Sequence, residues 1–387
     1  MPRLVFVVND APFFLSHRLP LAVGAREAGY DVHVLTPDHP RAAEIAAAGL
    51  SFHPVPLLRG GASLRSEIQS IRTLTRLYRG LRPDIVHHVT HKPIIYGSLV
   101  ARFVGVPAVV NAISGLGFAF AAEGWKAEVR RRLILAGYRV AFGHTRCWGI
   151  FQNRDDAALF ERGRIIEAGT YTLVTGSGVD LGEFIASPEP EGTPVVVLAA
   201  RMLWDKGVGD FVEAARLLKS RGVALRAVLV GEPDPRNPRS VSRDQLEQWV
   251  RDGVVEWWGR REDMAAVMAS AHVVCLPSSY REGVPKVLLE AAASGRPVVT
   301  TDVPGCRDVV RSEWNGIVVP PRDEIALAGA IQRLVGDSEL RKRMGTRNRS
   351  MAEAEFGVER VVAATLEVYR ELLAGPPNAP MPREQCP

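Results

Sequence analysis

Two glutamates are spaced so that a ligand can lie between their carboxylates. The segment SSYREGVPKVLLEAAASG at 278–295 places seven residues between Glu282 and Glu290. The apolar run HVVCL at 272–276 predicts a strand before this segment, and the spacing of apolar residues over 284–293 predicts a helix within it. Glu282 then lies in the loop and Glu290 about two turns into the helix, so the pair frames the helix N-terminus.

Backbone N–H groups over 283–287 would point at a ligand held there, and such a terminus suits an anion such as a diphosphate. Neighbouring carboxylates can accept hydrogen bonds from sugar hydroxyls. By itself, a pair of glutamates at this spacing also fits an ordinary helix with capping or solvated side chains, and it occurs often by chance. The wider string decides between the two interpretations.

That wider string, GVPKVLLEAAASGRPVVTTDVPGCRDVV, resembles the donor-site motif of the retaining nucleotide-sugar glycosyltransferases with the GT-B fold, the group related to glycogen synthase. It is similar to a subgroup that builds bacterial surface polysaccharides and lipid-linked oligosaccharides. The resemblance implies that Glu282 contacts hydroxyls of the donor sugar and that Glu290 holds the ribose hydroxyls. The predicted donor-binding residues of this segment are Glu282, Gly283, Val284, Pro285, Lys286, Val287 and Glu290.

A basic pair precedes this segment in the chain. Arg201 and Lys206 follow an apolar strand pattern at 194–199, in the sequence ARMLWDKGV. They match the family's basic pair, which grips the donor diphosphate and stabilises the charge that grows there as the glycosidic bond breaks. Surface ion pairing is the alternative. The resemblance makes Arg201, Lys206 and Glu282 the catalytic group, and it implies that neither a metal nor another cofactor is needed.

Two further donor contacts are predicted by the resemblance. Gly231 matches a short turn at the edge of the donor crevice. Arg260 lies where relatives contact the nucleotide base, although arginines after a strand are commonly exposed to solvent.

The acceptor side is expected on loops after strands of the first half. The segment NDAPFFLSH follows the first strand and, with the residue after it, supplies Asn9, His17 and Arg18. In open α/β sheets such loops line the ligand crevice. In the alternative interpretation Ser16 caps the next helix and His17 is merely solvated.

Three histidines cluster in DIVHHVTHKP, a pattern typical of metal or acid–base chemistry. No carboxylate or cysteine ligand accompanies His87, His88 and His91. We therefore favour an acceptor contact, through His88, over a metal, and a structural role over either.

The strand end VVNAISGLGFAF departs from the wider family. Many relatives have a histidine at the position aligned with Ser114, whereas this loop follows the SGLG pattern of the polysaccharide subgroup. Ser114 and Gly115 are therefore predicted acceptor contacts, and no catalytic histidine is assigned by analogy. The glycines fit either a close approach to substrate or a tight turn.

A basic amphipathic pattern spans 125–142. The sequence WKAEVRRRLILAGYRVAF carries Lys126, Arg130, Arg131 and Arg132 beside an apolar stripe. Such a helix can lie on an anionic membrane, and it can equally be a surface helix with a solvated face.

Length and composition limit the remaining possibilities. The chain has 387 residues, 47% of them hydrophobic and 24% charged, as expected of a globular protein with two domains. The start MPRLVFVVND reads as a first strand and not as a signal peptide, which predicts a cytoplasmic protein. The four cysteines lack metal-type spacing and are expected to be reduced thiols.

The formal net charge of +5 fits an anionic partner. Because no zinc-finger, basic-zipper or RNA-binding motif is present, we expect no nucleic-acid partner.

Strand and helix patterns alternate along the chain, which predicts an α/β protein. The resemblance implies the GT-B fold, with two doubly wound Rossmann-like domains facing across a cleft and a C-terminal helix crossing back. The predicted parts are an acceptor-binding domain at 1–181, a linker at 182–193, a nucleotide-sugar-binding domain at 194–356, a crossover helix at 357–374 that packs on the first domain, and a disordered tail at 375–387.

The function implied is sugar transfer with retention of configuration. The expected donor is a UDP-linked N-acetylhexosamine. The expected acceptor is a lipid-diphosphate-linked sugar or a polysaccharide, at the cytoplasmic face of the cell membrane. The alternatives are a non-hydrolysing nucleotide-sugar 2-epimerase and a non-catalytic nucleotide-sugar binding protein on the same fold.

Overall fold

A computed structural model describes residues 1–57, 63–117 and 124–375. Nearly all of the predicted tail, with Cys386, and the end of the loop after Gly117 therefore lie outside the described residues. The chain divides into two compact units, one formed by Met1–Ser177 together with the chain from Val358 on, and one formed by Gly178–Gly357.

The first unit is built on a sheet of seven parallel strands in the order β3-β2-β1-β4-β5-β6-β7. The strands are β1 Arg3–Val8, β2 Asp31–Thr36, β3 Ser51–Pro54, β4 Ile85–Val89, β5 Ala108–Ile113, β6 Cys147–Phe151 and β7 Tyr171–Leu173. The helices are α1 Ala11–His17, α2 Leu19–Glu27, α3 Ala43–Ala47, α4 Leu64–Leu81, α5 His91–Val104, α6 Trp125–Phe142, α7 Arg154–Arg162 and, from the end of the chain, α14 Val358–Ala374. Strand β1 is apolar from Leu4 onwards because helices cover both faces of the sheet.

The second unit repeats this plan with six parallel strands in the order β10-β9-β8-β11-β12-β13. The strands are β8 Val195–Ala199, β9 Arg226–Val230, β10 Glu256–Trp257, β11 Val273–Leu276, β12 Val298–Thr301 and β13 Gly316–Val319. The helices are α8 Val208–Ser220, α9 Arg243–Arg251, α10 Met264–Ser270, α11 Lys286–Ala293, α12 Glu324–Gly336 and α13 Ser338–Met351, and a π-helical turn follows at Ala352–Phe356.

In each sheet the strand order reverses beside the first strand, between β1 and β4 in one unit and between β8 and β11 in the other. Loops leaving two neighbouring strands on opposite sides of such a switch point form a crevice at the carboxyl edge of the sheet. The fold is therefore the predicted α/β arrangement of two doubly wound domains. Within the described ranges, no helix is long and apolar enough to cross a bilayer.

Helix α14 belongs to the core of the first unit. Its Val361, Leu366 and Tyr369 are buried in the same apolar cluster as Leu4 and Phe6 of β1. The C-terminal segment thus completes the unit with which the chain begins.

The segment predicted as a linker packs onto the second unit. Glu189 accepts hydrogen bonds from the Arg341 guanidinium at 2.9 Å, and Arg296 donates to the Ser187 hydroxyl at 2.8 Å. Because both arginines are almost fully buried, this stretch is fixed and does not behave as a free linker.

Several element predictions need correction. The expected loop after β1 contains helix α1, whose N-cap is Asp10: its carboxylate accepts the Phe13 N–H at 2.7 Å. The alternative cap, Ser16, instead donates to the Pro12 carbonyl at 2.8 Å. Helices α7 and α9 were not predicted from the sequence, and residues 304–309 form a run of turns.

Candidate active site

The loops that leave β8 and β11 meet at the switch point of the second sheet. The loop after β8 includes a 3-10 turn at Trp204–Lys206, and the loop after β11 holds Ser278 and Glu282 before α11 begins. Ser279 N–H donates to the Asp205 carbonyl at 2.9 Å, which ties the two loops together. Residues far apart in sequence are thereby brought into one site.

A buried ion pair lies at the centre of this site. Lys206 Nζ is 2.5 Å from Glu282 Oε1, and the two side chains are 13% and 9% exposed. The fully buried Ser278 hydroxyl donates to the same oxygen at 2.7 Å. Removing two charges from water is costly unless they are paired and hydrogen-bonded, as these are.

Glu282 keeps Lys206 cationic. Burial would lower the pKa of Lys206, but attraction to Glu282, the hydrogen bond to Glu282 and the contribution of Tyr280 together more than offset this, so the pKa is raised above its ordinary value. Lys206 Nζ also lies 5.4 Å from the centre of the Tyr280 ring, whose face attracts cations. The site therefore holds a fixed positive charge next to a carboxylate, an arrangement that can bind an anion and a hydroxyl side by side.

Two glycines allow the loops around Lys206 and Glu282 to pass very close to neighbouring backbone. Gly305 has φ +87°, and a Cβ there would lie 1.5 Å from the Gly283 carbonyl oxygen. Gly207 has φ +73°, and a Cβ there would lie 2.0 Å from the Pro277 carbonyl oxygen. Neither contact is possible for a residue with a side chain, so both glycines are required where the loops cross. The Glu282 N–H donates to the Pro304 carbonyl at 3.1 Å and fixes the same crossing.

Helix α11 begins at Lys286, two residues after the predicted start, because Pro285 takes the N-cap position in an extended conformation. Pro285 itself makes no side-chain hydrogen bond to this end of the helix. The helix macrodipole places partial positive charge at the start of α11, and an anion held by the N–H groups over 283–287 stays a prediction.

Glu290 lies one turn further into the helix. Its carboxylate is buried, 6% exposed, and 3.4 Å from Lys286 Nζ. Burial raises the pKa of Glu290, and Lys286 partly opposes that shift. Glu290 is thus on the same side of the helix as Lys286.

The remaining predicted donor residues are Arg201, Gly231 and Arg260. Arg201 is half-exposed and pairs with Asp234 at 2.9 Å. Gly231 directly follows β9, and its N–H donates to the Gly259 carbonyl at 2.7 Å. Arg260 is exposed and lies 3.5 Å from Glu262, so the structure does not direct it towards Lys206.

The structure adds residues that the motif comparison missed. Ser278 and Tyr280 contact Glu282 and Lys206 directly, and Arg243 stacks 4.7 Å over the centre of the Trp257 ring beside Glu232. The position of Ser278 straight after an apolar strand is the signal that could have identified it. Arg243 lies on the unpredicted helix α9 and had no such signal.

The predicted acceptor residues do not converge in the same way. His17 stacks on the Phe13 ring at 4.3 Å on α1, and Ser114 and Gly115 are half-buried after β5. His17 is therefore not merely solvated, and its acceptor contact stays a prediction. Asn9 is half-buried after β1, and Arg18 is buried between α1 and α2.

The histidines of β4 and α5 have structural partners. His88 is fully buried between the Tyr78 hydroxyl and the Asn111 amide oxygen, at 2.9 Å from each, so the predicted acceptor contact through His88 is wrong. His91 is hydrogen-bonded to the Tyr138 hydroxyl. Among the described residues, His, Cys, Asp and Glu side chains nowhere gather in threes that would hold a metal ion.

Comparisons with known families match both units. The family described as "Glycosyl transferases group 1" matches residues 193–337, and the family described as "Glycosyl transferase 4-like" matches residues 3–141.

Among curated proteins, the chain is 25% identical over 384 residues to the N,N'-diacetylbacillosaminyl-diphospho-undecaprenol alpha-1,3-N-acetylgalactosaminyltransferase of Campylobacter jejuni, which covers 96% of this chain and 99% of that protein. It is 23% identical to the capsular polysaccharide biosynthesis glycosyltransferase CapM of Staphylococcus aureus, over 93% of this chain and 96% of that one.

Solved structures share the fold. Sucrose-phosphate synthase from Thermosynechococcus elongatus superposes with a TM-score of 0.81 at 20% identity, over 97% of this chain and 100% of that one. Anabaena HepE in complex with UDP-glucose superposes with a TM-score of 0.77 at 17% identity, over 95% of this chain and 100% of that one. With both units matched, the chain carries a group 1 glycosyltransferase domain at 193–337 and is a glycosyltransferase of the GT-B fold.

Proposed function

We propose that this enzyme transfers an N-acetylhexosamine from a UDP-sugar to a lipid-diphosphate-linked acceptor, with retention of anomeric configuration. The observation that carries the donor half is the buried Lys206–Glu282 pair in the loops that precede α11. The acceptor class is suggested by relatives whose names specify diphospho-undecaprenol-linked sugars.

In this proposal the bond between the anomeric carbon and the diphosphate oxygen breaks, and the diphosphate leaves with the electron pair. Lys206, Arg201 and the N-terminus of α11 stabilise the negative charge that accumulates on it. The acceptor hydroxyl oxygen attacks from the same face, and its proton passes to a diphosphate oxygen. Glu282 holds the sugar hydroxyls in position and does not attack, because its Oε1 is already engaged by Lys206 and Ser278.

Glu290 holds the ribose in the same proposal. Its buried carboxylate is pre-positioned at the start of the helix, so little side-chain entropy is lost when it accepts the two hydroxyl hydrogen bonds.

A lipid-linked acceptor implies that the enzyme acts at a membrane surface. Helix α6 exposes Trp125, at 73%, together with Val129 and Leu133, and the adjacent α5 exposes Phe103 at 71%. The predicted membrane residues lie beside these apolar side chains, namely Lys126, Arg130, Arg131 and Arg132. Exposed apolar side chains interleaved with cations suit the interface of an anionic bilayer. We therefore place the reaction at the inner face of the cell membrane.

The first test is thermal stabilisation across a panel of nucleotides and nucleotide sugars, followed by product analysis. One nucleotide family should raise the melting temperature, and the matching sugar donor should yield free nucleotide plus a glycoside with a lipid-linked acceptor. A product that is only an epimerised sugar would contradict the proposal. If no UDP-linked sugar is used as a donor, the proposed nucleotide is wrong.

Vesicle sedimentation tests the membrane contact. The triple variant Arg130→Ala/Arg131→Ala/Arg132→Ala, and separately Leu133→Ser, should bind anionic vesicles more weakly than the parent. The matched control is Lys342→Ala/Arg343→Ala, which removes exposed cations from α13. If both variants and the control bind as the parent does, α6 is not the membrane contact.

A further inference from the structure

A small cavity in the first unit contains two buried nitrogen atoms that have no hydrogen-bond partner. It lies between the sheet of this unit and its helices α2 and α14. Its lining includes Arg18, His87, Ile113, Gln152, Val361 and Thr365. Buried polar atoms are almost always paired, so two unpaired atoms in one cavity indicate that something binds there.

The Arg18 guanidinium is the first of these groups. It is 5% exposed, and its Nε has no partner. Its Nη1 lies 3.4 Å from the His17 carbonyl oxygen, and within the described ranges no carboxylate forms an ion pair with it. Burial lowers the pKa of Arg18 to about 10, so the group is still cationic at neutral pH. A buried cation without an anion is strongly unfavourable.

The His87 imidazole is the second group. It is 1% exposed, and its Nδ1 lies 2.6 Å from the Tyr369 hydroxyl, whereas its Nε2 has no partner. Burial and the nearby Arg18 hold the pKa of His87 well below its ordinary value, so the ring is neutral. When the Tyr369 hydroxyl donates to Nδ1, the hydrogen of the ring is on Nε2 and is available as a donor.

We propose that this cavity binds an oxygen of a phosphate-class anion through Arg18 Nε and His87 Nε2. The cavity has room for about one water-sized group, so one anionic oxygen enters and not a whole sugar. A water molecule would satisfy the two nitrogens but would leave the guanidinium charge without a counter-ion. The anion is either free phosphate or the diphosphate of a lipid-linked acceptor, and the second source rests on the proposed function.

The test uses the full chain, inorganic phosphate as the probe, and Arg18→Met, which keeps the length of the side chain and removes its charge. Phosphate should raise the melting temperature of the parent and shift its His87 Nε2 NMR signal, assigned with His87→Gln. Arg18→Met should melt higher than the parent without phosphate and should respond to phosphate less than the parent does, because only the donor site is left to bind it. The matched control is Arg41→Met, at an exposed arginine of the same unit, and it should respond as the parent does.

An unmoved His87 signal, or an equal response of Arg18→Met and parent, would overturn the proposal. A short-chain isoprenoid diphosphate then distinguishes the sources: Arg18-dependent binding at least tenfold tighter than that of phosphate supports the lipid headgroup, and equal binding overturns that source in favour of free phosphate. These readouts need no turnover, so a failure here is distinguishable from a failure of the proposed activity.

Discussion

The two units have the same sheet topology, yet the polar residues at their switch points behave differently. In the second unit, charged side chains from separate loops meet in one buried group around Lys206 and Glu282. In the first unit, His88 is enclosed by Tyr78 and Asn111 and contributes to packing.

This difference helps to distinguish a functional site from a structural core when both contain buried polar side chains. A neutral histidine with two hydrogen bonds is satisfied where it is, so the fold alone explains it. A buried ion pair gains little stability over apolar residues of the same size, so its presence favours a functional explanation. A buried ion pair at the carboxyl edge of the sheet is therefore a better indication of a functional site than a buried neutral polar side chain.

The largest expected effect comes from breaking the ion pair. Lys206→Met should lower turnover by about 10²–10³-fold, because a fixed cation at the leaving group is lost. It should also lower the free energy of unfolding by about 3–5 kcal/mol, because Glu282 becomes an unpaired buried charge. Steady-state kinetics and chemical denaturation measure the two effects.

The double variant Lys206→Met/Glu282→Gln separates these two causes. It should recover most of the stability but none of the turnover. Recovery of both would mean that the ion pair is structural, and the contrast between the two units would then disappear.

The second test concerns the backbone crossing beneath Glu282. Gly305→Ala and Gly222→Ala both place a side chain at positive φ, which costs about 1 kcal/mol or more in the folded state. At Gly222 a Cβ meets nothing within 4 Å, whereas at Gly305 it meets the Gly283 carbonyl oxygen. Only Gly305→Ala should therefore weaken donor binding. Calorimetric titration should show a donor Kd raised about tenfold or more, which corresponds to about 1.4 kcal/mol. Equal donor affinity in both folded variants would show that the crossing does not shape the site.

The third test addresses the first unit. His88→Ala should lower the free energy of unfolding by about 1–3 kcal/mol, since Tyr78 and Asn111 lose a shared partner. The KM for the acceptor should be unchanged, because the fully buried ring cannot reach a substrate. A raised acceptor KM at unchanged stability would reverse the assignment and would return His88 to the site.

The same contrast explains what the sequence allowed us to predict. Strand patterns are apolar runs, and they indicated the α/β fold because parallel sheets are buried on both faces. The strand, loop and helix that hold Glu282 and Glu290 were predictable because these residues are contiguous, 282–290, at one strand-to-helix turn. Their donor role stays a prediction.

The failures have equally local causes. Helix α1 was taken as a loop although Asp10 and Pro12 are start signals, because its two phenylalanines give little helical periodicity over one short segment. The burial of His88 depends on Tyr78 and Asn111, which lie on other elements, so the sequence around it carried no sign of those partners. Arg260 was placed by analogy alone, and its role stays a prediction; its ion pair with Glu262 lies in an exposed loop.

The smallest expected effect is a pH dependence that belongs to Glu290. Burial raises its folded pKa above that of an exposed glutamate, with Lys286 opposing the shift. The carboxylate that would accept the ribose hydroxyls is therefore lost at a higher pH than usual, and donor affinity should fall as the pH decreases through this raised pKa. Stability should change in the opposite sense, because a raised pKa contributes stability below the unfolded value that is lost as the pH rises through the folded one.

Glu290→Gln should weaken donor binding by about 1–3 kcal/mol at neutral pH and should remove both trends, because an amide does not titrate in this range. Calorimetric titration of donor into parent and variant across a pH series measures the difference, and protonation of the nucleotide itself cancels because it is common to both. An identical pH slope in parent and variant would assign the dependence to another group. It would then remove Glu290 from the ribose site, and the charged network of the second unit would be limited to Lys206 and Glu282.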